Sequence, residues 1–465
     1  MTKAPAMVLT LFLLIPLAAF FPSDAAADNW PMFQHDAAHS GYSNTTMQVS
    51  PISAWNFTGK SDLSIAAVAN GVVYVSSDGF LRNEIYGVNA STGQLIWNSS
   101  YYIVDYAALF CPAIADGIVY TLTTAYNASN GNFLFNYTSV NASTSPTAAN
   151  GIVYFGTNSS NNFAPGGVIA INGRTGQQVW SFTGEQGQLM YGGMVHYPPA
   201  VKDGVVYFSS GGGVYALNAA NGALLWRYSA IDKGWGSLGC VSVADEQVYD
   251  NIAGNLSCIS AQNLRWKLDT GRGNRFAAVN NGVVYINSVA LDASSGTVIW
   301  NNSLTGLSSP VLADGVVFYG HYWHSDEGSH GKWNKHGIVG CNATTGEVVW
   351  EYTLSGFSDS QDGGYVSVAN NMLFYSDEST VYAFNLQPLP VSPMPPAQAN
   401  DNLIIAALTT FALIGIAAIF WLLKNGKKEL RSVQIGQTLL LCSLSRSLGT
   451  YALSRSSSFC SFRSS

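Results

Sequence analysis

The sequence predicts an all-β, eight-bladed β-propeller followed by one C-terminal transmembrane α-helix. Two internal repeats indicate the propeller, and a single uncharged apolar segment indicates the helix. The composition suits many short strands joined by tight turns, because 48% of the residues are hydrophobic, only 10% are charged, and 46 are glycine. Composition therefore excludes disorder for the bulk of the chain.

The first repeat is the unit Gly-Val-Val-Tyr, in which a turn glycine starts a β-branched strand. Eight copies occur at spacings of roughly 33 to 56 residues, which is the range of propeller blades rather than of helical repeats. The copies, two of them degenerate, are Gly71–Tyr74, Gly117–Tyr120, Gly151–Tyr154, Gly204–Tyr207, Gln247–Tyr249, Gly282–Tyr285, Gly315–Phe318 and Asn371–Tyr375.

The second repeat is Asn-Ala-x-x-Gly-x-x-x-Trp, a turn that leads into a strand ending in a large aromatic residue. Its tryptophan is expected to be buried between neighbouring blades. The eighth unit lacks this strand, whereas an orphan copy, Ile52–Phe57, precedes the first unit. Joining the two closes the ring and removes exposed strand edges, so Trp55 is predicted to complete blade eight. The structural tryptophans are Trp55, Trp97, Trp180, Trp226, Trp266, Trp300 and Trp350.

In these repeats the chain resembles the pyrroloquinoline-quinone-type (PQQ-like) repeat propellers, over about residues 30–386. That group includes quinoprotein alcohol dehydrogenases and a bacterial outer-membrane assembly lipoprotein. For a dehydrogenase the resemblance implies adjacent cysteines over the cofactor, a Glu/Asn/Asp set that holds calcium, and a catalytic Asp. The chain has no adjacent cysteine pair. No catalytic residue and no cofactor are therefore assigned, and PQQ or a metal stays as an alternative.

The segment order predicts a secreted protein that remains attached to a membrane. Residues 1–27 have a basic start, a short apolar run and an Ala-Ala-Ala site, which is typical of a cleaved signal peptide, with an uncleaved anchor as the alternative. A lead-in segment, residues 28–50, precedes the propeller, residues 51–386. A proline-rich stalk, residues 387–401, then leads to the transmembrane helix, residues 402–423, and to a tail, residues 424–465, predicted to be disordered.

Charge predicts the orientation of the chain in the membrane. Residues 28–401 carry 12 Lys and Arg against 25 Asp and Glu, whereas residues 424–465 carry seven basic residues and one Glu. Lys424, Lys427 and Lys428 follow the apolar segment directly, which favours a cytoplasmic tail and an extracytoplasmic propeller at the cell surface. The acidic body argues against nucleic acid as a partner.

Eleven Asn-x-Ser/Thr sequons precede the apolar segment. They are compatible with a glycosylated surface protein, or they reflect the abundance of Asn, Ser and Thr in propeller turns. The asparagines are Asn44, Asn56, Asn89, Asn98, Asn127, Asn136, Asn141, Asn158, Asn255, Asn301 and Asn342.

One insertion departs from the repeat and adds residues that could bind a ligand or a metal ion. Residues 320–336 add four of the seven histidines of the chain to blade seven, as a hairpin loop. The histidine spacing matches no standard zinc pattern, so a metal site and a solvated loop both remain open. A second long connection, residues 186–199, is expected on the same face of the propeller. The candidate ligand-binding residues are His196, Tyr197, Trp323 and Trp333, and the speculative metal ligands are His321, His324, His330 and His336.

Two further expectations concern cysteines and function. Cys111, Cys240, Cys258 and Cys341 are predicted to be buried free thiols without a disulfide framework. The leading function is a non-enzymatic, surface-anchored scaffold that binds a protein, glycan or small ligand on one propeller face. The alternative is a quinoprotein-like or metal-dependent enzyme that uses that face.

Overall fold

The computed structural model describes most of the predicted propeller and its lead-in segment. The predicted signal peptide, most of the stalk, the apolar segment at 402–423 and the tail lie outside the described residues. Among those residues no helix is long and apolar enough to cross a bilayer. The description covers residues 28–387 except 49, 65, 78–82, 102–109, 138–141, 158–165, 185–194, 211–212, 230–238, 253, 271–274, 324–334, 355–363 and 378.

The described residues form 33 β-strands, of which 32 make eight four-stranded antiparallel blades and one, β1, pairs parallel with a strand of blade seven. The lead-in segment contributes β1 (Tyr42–Ser43), and β2 (Ile52–Thr58) follows it. Blades one to four are β3 (Ala67–Ala69), β4 (Val72–Ser77), β5 (Asn83–Asn89), β6 (Leu95–Tyr101); β7 (Ala113–Ala115), β8 (Ile118–Tyr120), β9 (Thr124–Asn127), β10 (Phe133–Asn136); β11 (Thr147–Ala149), β12 (Ile152–Thr157), β13 (Gly167–Asn172), β14 (Gln178–Thr183); and β15 (Ala200–Lys202), β16 (Val205–Ser210), β17 (Gly213–Asn218), β18 (Leu224–Ser229).

Blades five to eight repeat this order. Their strands are β19 (Gly239–Ala244), β20 (Gln247–Ile252), β21 (Asn255–Ser260), β22 (Asn263–Asp269); β23 (Ala278–Asn280), β24 (Val283–Ile286), β25 (Val289–Asp292), β26 (Val298–Asn301); β27 (Val311–Ala313), β28 (Val316–Trp323), β29 (Lys335–Asn342), β30 (Val348–Leu354); and β31 (Tyr365–Ala369), β32 (Met372–Asp377), β33 (Thr380–Asn385). The first strands of successive blades contact one another and form the inner ring, and the fourth strands lie outermost.

Strand β2 closes the ring, because it is the fourth strand of blade eight although it comes before blade one in sequence. It pairs antiparallel with β33, and Trp55 lies opposite Ala383. The N-terminal and C-terminal ends of the propeller therefore share one sheet, which leaves no blade with an unpacked face. The prediction of an eight-bladed propeller is confirmed.

The fourth-strand tryptophans hold neighbouring blades together through one repeated contact. Trp180 of blade three donates its Nε1–H to the carbonyl of Ala219 in blade four, at 2.9 Å. The ring also lies flat against Gly222, where a Cβ would come within 2.6 Å of it. Gly222 has a φ of +73° as well, so glycine is required there twice over. The same bond joins Trp55 to Ala90, Trp97 to Ala128, Trp266 to Ala293 and Trp300 to Ala343.

The lead-in segment lies inside the inner ring and follows it around the propeller. In six blades its backbone forms hydrogen bonds of 2.5 to 2.9 Å with the backbone of one residue of the first strand. That residue is the middle one of the strand or the residue equivalent to it. The remaining two blades are reached by His39, 3.4 Å from the Thr147 hydroxyl of blade three, and by the Asp28 carbonyl, which accepts the N–H of Asn370 in blade eight. The six pairs are Trp30–Val68, Pro31–Ile114, Ala37–Val201, Ala38–Val243, Ser40–Val279 and Gly41–Leu312.

Buried charge fixes the turns of the lead-in segment. Burial alone would lower the pKa of His35, but the carboxylates of Asp28 and Asp36, at 3.7 and 3.6 Å, raise it to about 9. Burial opposes ionisation of Asp36, yet His35 and Ser40 bring its pKa down to about 2. His39 is fully buried, which lowers its pKa to about 4, and its Nδ1 lies 3.0 Å from the Val241 carbonyl. His39 is therefore a neutral, hydrogen-bonded core residue at neutral pH.

A pair of glycine substitutions separates tryptophan packing from backbone strain. Gly204 has the same positive φ as Gly222, but a Cβ at Gly204 meets no atom within 4 Å. Gly204→Ala is expected to cost about 1–2 kcal/mol of unfolding free energy from the left-handed backbone alone. Gly222→Ala adds a collision with Trp180 and should cost a further ~1–3 kcal/mol. Urea unfolding measures both, and equal losses would show that the ring contact contributes nothing.

The lead-in segment is expected to be required for stability although it precedes the first blade. A chain without residues 28–41 loses Trp30, which is fully buried, at a cost of about 3–5 kcal/mol for that side chain alone. Adding the peptide 28–41 in trans should restore the melting temperature in a saturable way. A truncated chain that melts at the parent temperature would contradict the role of the segment.

Candidate functional site on the interblade face

Strand order divides the propeller into two different faces. We call the end at which the fourth strand of one blade leads into the first strand of the next the interblade face. The opposite end, the turn face, carries the short turns of both sequence repeats, such as Ala69–Val72 and Asn89–Gln94. Because the turn-face loops are short and alike, the variable connections gather on the interblade face.

The blade-seven insertion is a hairpin that extends from the interblade face. Strands β28 and β29 stay paired to Trp323 and Lys335, two residues beyond the longest register in the other blades. Residues 324–334 at its tip, with His324, His330 and Trp333, lie outside the described residues, and so does the side chain of Trp323. The connection that carries His196 joins the end of β14 to the start of β15, which are at the same end of their blades. Strand order thus brings both segments to the interblade face.

The two described histidines of the insertion lie on opposite sides of the blade-seven sheet. His321 is opposite Gly337, and His336 is opposite Tyr322, the next residue along. Since adjacent residues of a strand point to opposite faces of a sheet, His321 faces blade six and His336 faces blade eight. A hydrogen bond between the His321 ring and the backbone of Thr305, in the connection from blade six, agrees with this. These two histidines therefore do not belong to one four-histidine cluster.

His336 forms a buried pair with an acid of blade eight. Its Nε2 lies 2.7 Å from Oδ2 of Asp377, and both side chains are less than a tenth exposed. Buried His–Asp pairs orient the imidazole ring and join adjacent elements. This pair connects blades seven and eight at the interblade face, which gives the histidine a structural explanation that needs no metal.

His196 and Tyr197 lie at the mouth of the inner ring. His196 is exposed, whereas Tyr197 is half-buried and packs edge-on against Phe276, with ring centroids 5.5 Å apart. Phe276 in turn contacts Phe33 and His39 of the lead-in segment. An aromatic cluster therefore connects the lead-in segment to the surface at Tyr197, and it places the side chain of His196 beside that opening.

A further candidate, Asp250, is a carboxylic acid at a position where the repeat demands a core residue. Asp250 is fully buried on β20 opposite Val241 of the first strand. Burial raises its pKa to about 7, although the neighbouring Ser209 hydroxyl of blade four acts in the other direction. Register aligns Asp250 with seven residues of the other blades that are apolar, aromatic or, in one case, Thr: Val75, Thr121, Phe155, Phe208, Ile286, Tyr319 and Tyr375.

Space for the Asp250 carboxyl is provided by a glycine on the neighbouring strand. A Cβ at Gly239 would collide with both Asp250 Oδ1 and Ser209 Oγ. The acid, the hydroxyl and the glycine thus form a compact group between blades four and five, near the interblade face. Sequence reasoning missed Asp250 because its own blade has a degenerate repeat. An alignment of the second strands of the eight blades, residue by residue, shows Asp250 as the one charged residue at its position.

All four described cysteines are buried free thiols, as predicted. Burial raises the pKa of Cys240, beside Asp250 and Tyr197, well above its usual value. Burial also raises the pKa of Cys341 to about 11. A thiol that stays protonated is a poor nucleophile and a poor metal ligand, so these cysteines are core residues.

The described residues do not fit the cofactor set that a quinoprotein dehydrogenase implies. Among them no group of three or more His, Cys, Asp or Glu side chains could hold a metal ion. The cysteines are dispersed over blades two, five and seven, and the lead-in segment lines the inside of the inner ring. No step through a quinone or a calcium ion is derived for this chain.

The pKa of Asp250 predicts a specific pH dependence of stability. Between pH 3.8 and about 7 the folded protein keeps a proton that the unfolded chain has lost, so stability falls as pH rises through this window. The loss is on the order of 4 kcal/mol. Asp250→Asn should remove it, making the variant more stable than the parent at pH 8 and similar near pH 4. Asp245→Asn, an exposed turn acid of the same blade, serves as control, and identical pH profiles for all three proteins would refute the assignment.

Comparison with known proteins supports the repeat fold and connects it to both binding and enzymatic proteins. The tetrathionate hydrolase of Acidithiobacillus ferrooxidans is 26% identical over 280 residues. The alignment covers 54% of this chain and 50% of that relative, so the chain matches only half the length of the hydrolase. The activity in that name therefore belongs to the relative.

Solved structures show the same architecture at low identity. A europium-containing methanol dehydrogenase superposes with a TM-score of 0.61 at 13% identity, over 77% of this chain and 98% of that chain. BamB from Moraxella catarrhalis superposes with a TM-score of 0.51 at 15% identity, over 72% of this chain and 100% of that chain. At such identities the likeness shows the fold alone.

The family assignment follows from a match to a family model over two segments. Residues 82–263 and 252–387 match the family described as outer membrane protein assembly factor BamB. Together they cover blades two to seven, the outer two strands of blade one and the first three strands of blade eight. The chain is therefore a PQQ-like repeat propeller and belongs to the family described as outer membrane protein assembly factor BamB.

Proposed function

We propose that this protein is a membrane-anchored, extracytoplasmic scaffold that binds a protein partner on the interblade face. The observation that carries the proposal is the path of the lead-in segment. It bonds to all eight blades from inside the inner ring. The inner edges of the blades are therefore bonded by the chain itself, so we assign binding to the loops on the faces of the ring.

The interblade face offers the chemistry that protein recognition uses. The exposed His196, the half-buried Tyr197 and the blade-seven hairpin emerge there, whereas the turn face repeats one short turn. Aromatic side chains and histidine next to a rigid framework are favourable binding anchors. The family description, an assembly factor, supports a protein rather than a glycan or a small molecule as the partner.

The location of the scaffold is part of the proposal. The signal-peptide pattern of residues 1–27, the apolar segment 402–423 and the basic residues that follow it support an extracytoplasmic body held at the membrane. Protease added to intact cells should release the body and leave the tail attached to the membrane.

A second candidate, an enzyme that uses the interblade face, is favoured by one observation. Asp250 combines a pKa near neutrality with a neighbouring hydroxyl, which suits proton transfer. We rank the enzyme hypothesis second because Asp250 is completely buried beneath Gly239, whereas a reacting group must be able to reach the acid. Under this alternative the purified protein would carry a quinone chromophore or a stoichiometric metal, and Asp250→Asn would abolish turnover.

Site-specific photo-crosslinking tests the proposed binding face. A crosslinking amino acid at His196 should give adducts of discrete mass in intact cells, because this exposed residue lies at the interblade face. The same amino acid at Ala220, exposed on the turn face, is the matched control and should give none. Adducts from Ala220 alone, or from no position, would refute the proposal.

Loop replacement provides the quantitative arm of this test. Residues 324–334 are exchanged for Gly-Gly, the connection that blade four has between β16 and β17. The melting temperature should stay nearly constant, because surface loops support little of the core. Adduct formation at His196 should fall at least about tenfold, the ratio that 1.4 kcal/mol of lost binding energy gives.

A further inference from the structure

The outer rim of the propeller carries a ring of exposed apolar side chains that we call the apolar girdle. It lies at the start of the fourth strands, and its members are 40–60% exposed. Each of these strands has one unpaired edge, and an apolar edge strand invites pairing with another chain. The girdle is formed by Ile52, Leu95, Ile96, Phe133, Leu134, Val179, Leu224, Leu225, Leu264, Val298, Ile299, Val348 and Val349.

One position on these strands is polar in every blade, and it directly follows the docking aromatic residue. In four blades it is Ser181, Arg227, Lys267 or Glu351, three of which are charged. Charged side chains on an edge strand prevent edge-to-edge association. In the other four blades the position is Asn56, Asn98, Asn136 or Asn301, and each begins an Asn-x-Ser/Thr sequon.

Three of these asparagines, Asn56, Asn98 and Asn136, have no explanation in the local fold. Asn301 differs, because its Oδ1 accepts the N–H of Ser303, two residues further on. Asparagine is unfavourable in β-strands, yet Asn56 and Asn98 are internal to β2 and β6. All four are exposed, and within the described residues the Nδ2 groups of Asn98 and Asn136 make no hydrogen bond. The amide nitrogen that a glycan would occupy therefore points to no protein partner.

The turn asparagines provide the contrast. Asn89, Asn127 and Asn342 accept backbone N–H groups two residues further on, which is an Asx turn. Asn172 and Asn218 make the same turn without a sequon. At the turn face the fold itself requires the asparagine, so a sequon there needs no glycan to explain it.

We propose that Asn56, Asn98 and Asn136 are N-glycosylated and that their sugars shield the apolar girdle, as charged side chains do in three of the other blades. In three blades the sequon residue and a girdle residue lie on the same side of the strand, as the pairings of Leu95 with Val88 and Asn98 with Tyr86 show. A bulky, hydrophilic sugar at Asn98 would cover Leu95 and block the free edge of β6.

The modification is a glycosyl transfer from a lipid-phosphate-linked oligosaccharide. The asparagine Nδ2 forms a bond to the anomeric carbon of the sugar and loses one proton. The bond from that carbon to the lipid phosphate oxygen breaks, and the lipid phosphate leaves with the electron pair. The inference rests on the extracytoplasmic location proposed above, where such donors are used.

Glycopeptide mass spectrometry of the full chain, secreted by a host that N-glycosylates, tests the modification. Glycans are expected at Asn56, Asn98 and Asn136. Glycans confined to the turn asparagines, or none on secreted protein, would overturn the proposal. Crosslinking from the interblade face would be unaffected in either case, which keeps this test separate from the binding function.

A matched set of variants tests the shielding. The double variant Asn98→Gln, Asn136→Gln should melt at the parent temperature but aggregate at a severalfold lower concentration in light scattering. Lysine at the same two positions should restore solubility without any glycan, as in the blade that carries Lys267. Should the glutamine variant fail to be secreted, Ser100→Ala and Thr138→Ala remove the same glycans. Parent-like solubility of the unglycosylated glutamine or alanine variant would overturn the shielding role.

Discussion

The structure depends on one constraint: a four-stranded blade has two apolar faces and can bury them only against other blades. A linear array would leave both end blades exposed, so the array closes into a ring. The contact that makes closure specific is the fourth-strand tryptophan, which lies on a glycine of the next blade and bonds a carbonyl there. Strand β2 applies the same contact across the seam, from Trp55 to Ala90.

The inner ring presents a second set of unpaired edges, and the lead-in segment satisfies them. Its carbonyl groups accept bonds from equivalent residues of successive first strands, in the order of the blades. The left-handed conformations of Gln34, His35 and His39 permit the tight path, and the pairing of His35 with Asp28 and Asp36 stabilises it. Because the inner edges of the blades are bonded by the chain itself, we assign ligand recognition to the faces and the rim.

Departures from the repeat show where this chain differs from a plain propeller. Asp250 places an ionisable group in a core position, and the blade-seven hairpin extends beyond its neighbours. At the rim, the position after the docking aromatic residue carries a charge or a sequon in seven blades and Ser181 in the eighth, and every edge strand faces the same risk of association. The family includes proteins with different activities on one architecture, so function resides in such local departures.

The sequence by itself determined the blade number, the strand units, the closing role of Trp55 and the burial of the cysteines. These follow from local repetition, because each unit encodes its own turn and its own buried aromatic residue. Only the tertiary structure decided that residues 28–41 line the inner ring, since their bonds join carbonyl groups to partners up to hundreds of residues away. It also decided that His321 and His336 face different blades: four histidines in one insertion suggest a cluster, but the alternation of side chains along paired strands separates these two.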